Sequence, residues 1–245
     1  MEVSKDKFAR NVLCNLNDSA FFASPKDLQY LVNCGNNIDD HQSITGEAPI
    51  HRSVLSKRDE LEKTKTLKTI IVDCNANINT LDSNGWTALM HASYNGDFKS
   101  VEELTKNGAK VNLFSNQLKT ALHFAALKNH REIIVHLLSK RAKIEVKDDL
   151  GCTPLHLACK KGCFDAAETL LNYDANIYAT DERDWTSLHY AAYNGHPQIC
   201  KMLLTFAVDD EPKLRDCRNS QNKIAFNVCK NPATKDGFRI IWKAA

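Results

Sequence analysis

A chain of 245 residues that is 43% hydrophobic and 25% charged can bury a sizeable core without metals or disulfides. Its formal charge of +2 gives no indication of a nucleic-acid partner, because phosphate binding depends on clustered lysines and arginines. No run approaches the ~20 apolar residues that cross a bilayer, and the N-terminal sequence lacks a signal-peptide core. Nine scattered cysteines without a Cys-x-x-Cys indicate reduced thiols. We therefore expect a protein of the cytoplasm or nucleus with no membrane insertion.

In the first third of the chain, the sequence predicts helices that are irregularly spaced. Residues 24–39, opening with Ser24 and Pro25, are typical of a helix that follows a turn. Further helices are predicted at 46–55 and 67–79. The segment 56–66 between them is too charged for a core, which predicts a surface insertion that could be either a partner contact or a tolerated loop.

The middle of the chain repeats itself at a fixed interval. Threonines recur every 33 residues, at Thr87, Thr120, Thr153 and Thr186. Small residues line up with them at Ala92, Ala125, Ala158 and Ala191, and leucines at Leu104, Leu137, Leu170 and Leu203. Three equal intervals with matching chemistry predict a repeat architecture.

One repeat predicts two helices. The threonine hydroxyl suits a helix N-terminus, and the short first helix buries its leucine and alanine face. A turn leads into a longer second helix of 3.6-residue apolar period, such as 131–138. That helix is expected to end in a left-handed residue, at Gly108, Arg141, Asp174 and Ala207. A unit this short cannot bury its apolar face alone, so neighbouring units must stack into a solenoid.

The motif at 153–158, Thr-Pro-Leu-His-Leu-Ala, makes the repeat resemble the ankyrin repeat. Close variants stand at 120–125 and 186–191, and Met90 takes the histidine place at 87–92. The resemblance implies an all-α repeat solenoid of helix-turn-helix units with β-turn or hairpin fingers. About seven units in one domain are predicted, at 8–39 (degenerate), 44–79 (with the insertion), 82–114, 115–147, 148–180, 181–213 and 219–245 (C-terminal capping). The residues 209–215 are expected to lengthen one finger, either as a partner-specific contact or as a tolerated surface loop.

Two chemical readings of the histidines compete with a structural one. Ser187 and His189 suggest a nucleophile and base, but Ala121 and Pro154 occupy the serine place in the parallel repeats. Cys152, His156, Cys159 and Cys163 suggest zinc, but the first and last of them fall at opposite ends of a helix, too far apart for one tetrahedral site. The resemblance implies that the histidines bond to backbone between adjacent units. We expect no catalytic site, cofactor or metal.

A solenoid of this family would present its concave face to a partner. The matching positions include aromatic pairs at both ends and basic residues between them: Trp86, Tyr94, Lys119, Leu127, Lys128, Lys160, Lys161, Arg183, Trp185 and Tyr193. Aromatic anchors beside charged residues are typical of interface hot spots. This pattern predicts a protein or extended-peptide ligand that carries acidic residues toward its middle, although the same rings could merely cover the neighbouring unit.

The resulting functional prediction is a non-catalytic adaptor or scaffold, monomeric by itself, that binds a protein partner. The alternatives are an assembly chaperone, resembling a proteasome-assembly factor, and a permanent subunit of a large cytoskeletal or ciliary complex. Asn79 and Asn112 follow second helices, where asparagines of such repeats are hydroxylated.

Overall fold

The structure is a computed structural model that describes residues 45–207 and 213–230, together with 32–33, 37–39 and 235. The chain divides into two compact units, Met1–Asn116 and Gln117–Ala245. The predicted unit at 8–39, residues 209–212 and most of the C-terminal segment beyond residue 230 lie outside the described residues.

Between residues 45 and 116, which the structure describes in full, the first unit contains two helix pairs. They are α1 (Pro49–Leu55) with α2 (Glu60–Lys68), and α3 (Ala88–Asn95) with α4 (Phe98–Lys106). The first helices α1 and α3 pack on each other, and so do the second helices α2 and α4. The unit is therefore built of two helical layers.

The predicted insertion at 56–66 is only partly a loop. Residues 56–59 form the turn, Asp59 accepts the Glu62 N–H at 2.7 Å, and the rest of the segment belongs to α2. The helix then continues through a π-helical turn, Thr69–Asp73, which accommodates extra residues by widening the helix. Thr66 is buried at the end of the segment. The insertion thus lengthens the second helix, a correction to the surface loop that its charge suggested.

The described residues of the second unit also form two helical layers. Its helices are α5 (Ala121–Leu127), α6 (Arg131–Ser139), α7 (Pro154–Lys161), α8 (Phe164–Asn172), α9 (Ser187–Asn194), α10 (Pro197–Phe206) and the short α11 (Ala225–Val228). The first helices α5, α7, α9 and α11 pack in series, and α6, α8 and α10 pack behind them. A 3₁₀ turn, Leu214–Asp216, lies before α11.

The helix ends follow the sequence prediction with one exception. Gly108, Arg141 and Asp174 have φ values of 88°, 64° and 62°, as expected for left-handed residues. Ala207 was expected to match them but has φ −106°. The reason is that α10 runs one residue longer than α8, so Ala207 occupies the cap position and avoids the strain that a left-handed conformation imposes on a residue with a Cβ.

The core consists of the residues that recur along the sequence. The four aligned alanines and the four aligned leucines are each 0% exposed. Small residues at the alanine positions let the first helices approach closely. In the described residues there is no β-strand, only an isolated bridge between Arg218 and Ile224. The predicted all-α repeat fold is confirmed.

Candidate protein-binding surface

Each first helix is preceded by a tight turn, which we call a finger: residues 82–86, 115–119, 148–152, 181–185 and 219–223. In the finger at 181–185, the Asp181 Oδ1 atom accepts the N–H groups of Arg183 at 2.8 Å and Trp185 at 2.9 Å. The Asp181 N–H donates to the Trp185 carbonyl at 3.1 Å, which closes the turn. Asp82, Asp148 and Asn219 close their fingers in the same way.

Consecutive fingers are joined by backbone hydrogen bonds. In the first unit, Ser83 donates to the Thr45 carbonyl and Asn116 to the Asn84 carbonyl. In the second unit, Asp149 donates to Gln117 at 3.1 Å, Glu182 to Leu150 at 3.3 Å and Ser220 to Arg183 at 3.1 Å. Side chains add to these links, as where Asn116 Nδ2 donates to the Ser83 carbonyl at 3.0 Å, but the main-chain links themselves do not depend on the identity of the finger side chains.

Four histidines join the start of a first helix to the finger that follows. His156 Nδ1 accepts the Thr153 N–H at 3.0 Å, so its ring proton resides on Nε2. Nε2 donates to the Ala179 carbonyl at 2.9 Å and lies 3.1 Å from the Trp185 carbonyl. Equivalent contacts are made by His51, His123 and His189. His51 was not among the three histidines predicted to make these contacts. The N-cap of its helix α1 is Ala48, where the other repeats have a threonine.

These histidines are neutral at physiological pH. Burial lowers the pKa of His51, His123 and His156 to about 4, and it lowers the pKa of His189 as well. A neutral ring has one nitrogen that accepts a hydrogen bond and one that donates, which are the two roles that these contacts require. The neutral histidines can therefore connect each first helix to the finger that follows.

The second unit carries a cation–aromatic cluster on its finger side, formed by Lys160, Arg183, Trp185, Tyr190, Tyr193 and Lys230. The Trp185 ring lies 5.2 Å from that of Tyr190 and 5.3 Å from that of Tyr193. The Arg183 guanidinium lies 5.1 Å from the Trp185 ring centre. Two lysines lie over the remaining rings. Lys160 Nζ is 5.4 Å from the centre of Tyr190, and Lys230 Nζ is 4.0 Å from that of Tyr193.

A buried carboxylate anchors this cluster. The Tyr190 hydroxyl donates to Asp181 Oδ2 at 2.7 Å, and Arg183 Nη2 donates to the Tyr190 oxygen at 2.9 Å. Burial alone would raise the pKa of Asp181, but the hydrogen bonds from Tyr190, Trp185 and Arg183 lower it. Burial also raises the pKa of Tyr190. The acid thus stays ionised and the phenol stays protonated, which fixes both rings and the guanidinium beside them.

The predicted aromatic pair of the first unit is also formed. The Trp86 ring lies 5.5 Å from that of Tyr94 and 4.9 Å from that of His91. His91 Nε2 lies 2.9 Å from Asp82 Oδ2, nine residues earlier, just as Tyr190 bonds to Asp181. In both units, therefore, a finger aspartate bonds to the ring of His91 or Tyr190, which packs beside a half-exposed tryptophan.

The remaining predicted surface residues differ in their availability. The Lys119 side chain is only 13% exposed, and its Nζ lies 3.3 Å from Asp148 Oδ2 and 3.7 Å from Asp149 Oδ1. Its charge is therefore compensated within the fingers. Lys128 and Lys161 are exposed, whereas Leu127 is half-buried. The exposed lysines among these predicted residues therefore lie directly after α5, at Lys128, and at the end of α7, at Lys161.

Comparison with known proteins bears on the repeat directly. A family model of ankyrin repeats (three copies) matches residues 16–114, 60–148 and 122–216, which together cover more than half of the chain. The chain belongs to the ankyrin-repeat family. No curated protein matches it significantly. Ankyrin repeats are generally protein–protein interaction modules. The predicted count of about seven repeats stays a prediction.

The ankyrin geometry leaves the chemical readings of the histidines without support. His189 Nδ1 accepts from Thr186 and its Nε2 donates to the Lys223 carbonyl at 3.0 Å, so neither nitrogen can take a proton from Ser187. The described residues contain no group of three or more potential metal ligands. Burial raises the pKa of the Cys159 and Cys200 thiols, which keeps them protonated. None of the described helices is both long and apolar enough to span a bilayer.

Two residues of the cation–aromatic cluster, Tyr190 and Lys230, were not predicted from the sequence. Tyr190 lies in the buried face of α9, where the parallel repeats have Phe124 and Leu157. Its spacing of nine residues from Asp181, shared by His91 and Asp82, was the available signal. Lys230 had no such signal, because it follows α11, which is only four residues long.

The two asparagines proposed for hydroxylation occupy equivalent turns after the second helices. Asn79 Oδ1 accepts the Lys110 N–H at 2.8 Å, which ties its turn to the next one. Asn79 and Asn112 are both partly exposed. Their hydroxylation stays a prediction.

Proposed function

We propose that this ankyrin-repeat chain is a non-catalytic adaptor that binds a protein partner through its finger side, acting as a monomer in the cytoplasm or nucleus. The cation–aromatic cluster is the observation that supports this proposal most directly. Its Tyr193 is 37% exposed and the Arg183 side chain 58% exposed, although both lie beside a well-anchored core. Rigid aromatic and arginine side chains of this kind are enriched at interface hot spots.

The anchoring of the cluster favours recognition over simple coverage of the next repeat. Asp181 is 5% exposed and fully engaged by its finger and by Tyr190, so the rings are held in place before any partner arrives. Preorganisation of this kind reduces the entropy lost on binding. A hot spot of two or three such residues is expected to contribute ~2 kcal/mol or more per residue.

The test is affinity purification of the tagged full-length chain at native expression level, followed by mass spectrometry. Trp185→Ala and Trp86→Ala are expected to lose partners that the wild type captures. Tyr173→Ala is the matched control, because Tyr173 is a 45% exposed aromatic at the end of α8, away from the fingers. Unchanged capture by both tryptophan variants, with unchanged circular dichroism, would refute the proposal.

Gel filtration of native extract separates the adaptor from the assembly-chaperone and permanent-subunit alternatives. A transient adaptor is expected to elute largely as the free monomer, whereas a permanent subunit would elute only with a large complex.

A further inference from the structure

Two adjacent fingers of the second unit expose leucines. Leu118 is 50% exposed and Leu150 is 52% exposed. Leu118 also has φ 54°, a left-handed conformation that is costly for a branched side chain. The equivalent position is glycine in two other fingers, Gly85 and Gly151. The ankyrin fold therefore does not require leucine here, and its exposed, strained placement calls for a role outside folding.

The finger hydrogen bonds set the order of these surfaces. The Asp149 N–H donates to the Gln117 carbonyl and the Glu182 N–H to the Leu150 carbonyl, so the finger that carries Leu118 is followed by the finger that carries Leu150 and then by the finger at 181–185. An extended peptide that crosses the fingers would therefore meet the two leucines before it meets the third finger. The third finger in this series is the one that carries Arg183.

The finger at 181–185, the third in this series, has cationic side chains on the side nearer the helices. Arg183 lies over Trp185, and Lys160 and Lys230 lie over the flanking tyrosines. Among the described residues, no acidic group lies within ion-pairing distance of either lysine nitrogen. The buried Asp181 is engaged by Tyr190 and its own finger, and the exposed acids on this finger are Glu182 and Asp184, at its tip.

The ligand class follows from this order of surfaces. We propose that the second unit binds an extended acidic peptide with two apolar residues, which contact Leu118 and Leu150. Carboxylates further along the peptide pair with Arg183, Lys160 and Lys230. This inference rests on the proposed protein-binding function and specifies the partner. It also moves the acidic part of the ligand from its middle, as the sequence suggested, toward one end.

Single-stranded nucleic acid is the less favoured ligand for the same cluster. Stacking of bases needs open ring faces, but a lysine already lies over Tyr190 and another over Tyr193, and Arg183 covers Trp185. The exposed leucines would also contribute nothing to phosphate binding. A fluorescein-labelled oligonucleotide is therefore a useful comparison probe.

The experiment selects random twelve-residue peptides displayed on phage against the full-length chain. The expected winners carry two apolar residues and at least two acidic residues on one side of them. A labelled winner is then measured by fluorescence anisotropy against wild type and variants. Arg183→Glu and Leu118→Gly are each expected to weaken binding at least tenfold. Lys201→Glu, a charge reversal on the outer side of α10, is the matched control and is expected to leave binding unchanged.

The stability of the variants separates binding from folding. Leu118→Gly is expected to raise the melting temperature while it weakens binding, so a loss of binding cannot be ascribed to unfolding. Absence of enriched peptides, enrichment of basic ones, equal binding by Arg183→Glu, or tighter binding of the oligonucleotide would each overturn the proposal. If partner capture in extract still depends on Trp185, the adaptor function survives such a result; if it does not, both fail.

Discussion

The Tyr190 hydroxyl donates to Asp181 Oδ2 over 2.7 Å, which links the core face of α9 to the finger that begins this repeat. Tyr190→Phe removes that donor from a buried carboxylate. Hydrogen bonds to charged groups contribute about 1.5–3 kcal/mol, and Arg183 remains nearby, so we expect the free energy of unfolding to fall by about 1–2 kcal/mol. Urea denaturation measures this. Tyr193→Phe is the control and should change stability little, because its hydroxyl bonds to the exposed Lys230.

The buried histidines make stability depend on pH. In the unfolded chain they take up protons as the pH falls through about 6.5, whereas His123 and His156 in the folded chain do so only near pH 4. The unfolded state therefore binds more protons between these values, and stability falls on acidification across this window. Each such histidine is expected to account for roughly 3 kcal/mol at most between pH 7 and pH 4.

The pH prediction is checked by urea denaturation at pH 7, 6 and 5, together with NMR of the ring nitrogens. Spectra at pH 6 should show neutral rings protonated on Nε2. If His51, His123 or His156 titrated near 6.5 in the folded protein, that result would contradict the assignment.

Leu118→Gly should stabilise the second unit. The left-handed conformation costs a residue with a Cβ about 1–2 kcal/mol, and part of the relief is offset by the greater entropy of glycine in the unfolded chain. The expected net gain is about 0.5–1 kcal/mol, seen as a higher melting temperature. Leu150→Gly, at an equally exposed finger position without positive φ, is expected to lose a similar amount, and a gain in both variants would contradict this explanation.

The thiols should differ in reactivity. Burial raises the pKa of all three thiols, but Cys159 and Cys200 are 0% exposed, whereas Cys217 is partly exposed. Brief treatment of the native protein with iodoacetamide at pH 8 is expected to modify Cys217 before the other two, and unfolding in concentrated urea should remove the difference. Peptide mass spectrometry measures the order. Early modification of Cys159 would show that α7 opens locally.

Asp97 has two roles in the first unit. It caps α4 by accepting the Ser100 N–H at 3.1 Å, and it lies 3.3 Å from Lys63 Nζ in the lengthened α2. Asp97→Ala should lower the free energy of unfolding by about 1 kcal/mol because the cap is lost. Lys63→Met should cost less than about 0.5 kcal/mol, as expected for a single ion pair near the surface. Equal losses would assign the effect to the ion pair.

Much of the fold could be predicted because its determinants are local and periodic. The 33-residue spacing located the threonine caps, the alanine contact face and the second-helix leucines. The prediction was incomplete at His51, because its Nδ1 accepts the Ala48 N–H, a main-chain contact that does not require the threonine by which the motif was located. It was wrong at Ala207 because helix length depends on packing beyond the repeat pattern. The insertion was misread because charge alone does not distinguish an exposed helix from a loop.

The candidate surface was harder to predict for a different reason. The sequence located exposed positions but not their partners, so the pairing of Lys119 with Asp148 was missed. The roles of Tyr190 and Lys230 depend on contacts across 9 and 37 residues, respectively. The Lys230 contact depends on how successive repeats stack, which no single repeat specifies, whereas the Tyr190 contact lies within one repeat and depends on how its finger packs against α9.

The main-chain links between fingers have a consequence for how this protein can diversify. A carbonyl of one finger and an amide of the next are supplied by almost any amino acid, so mutations at 84, 117, 150 and 183 leave the register of the stack intact. Asn, Gln, Leu and Arg occupy these four places along one chain. Single substitutions at these positions can therefore change what the fingers recognise without changing the main-chain hydrogen bonds that hold the fingers together.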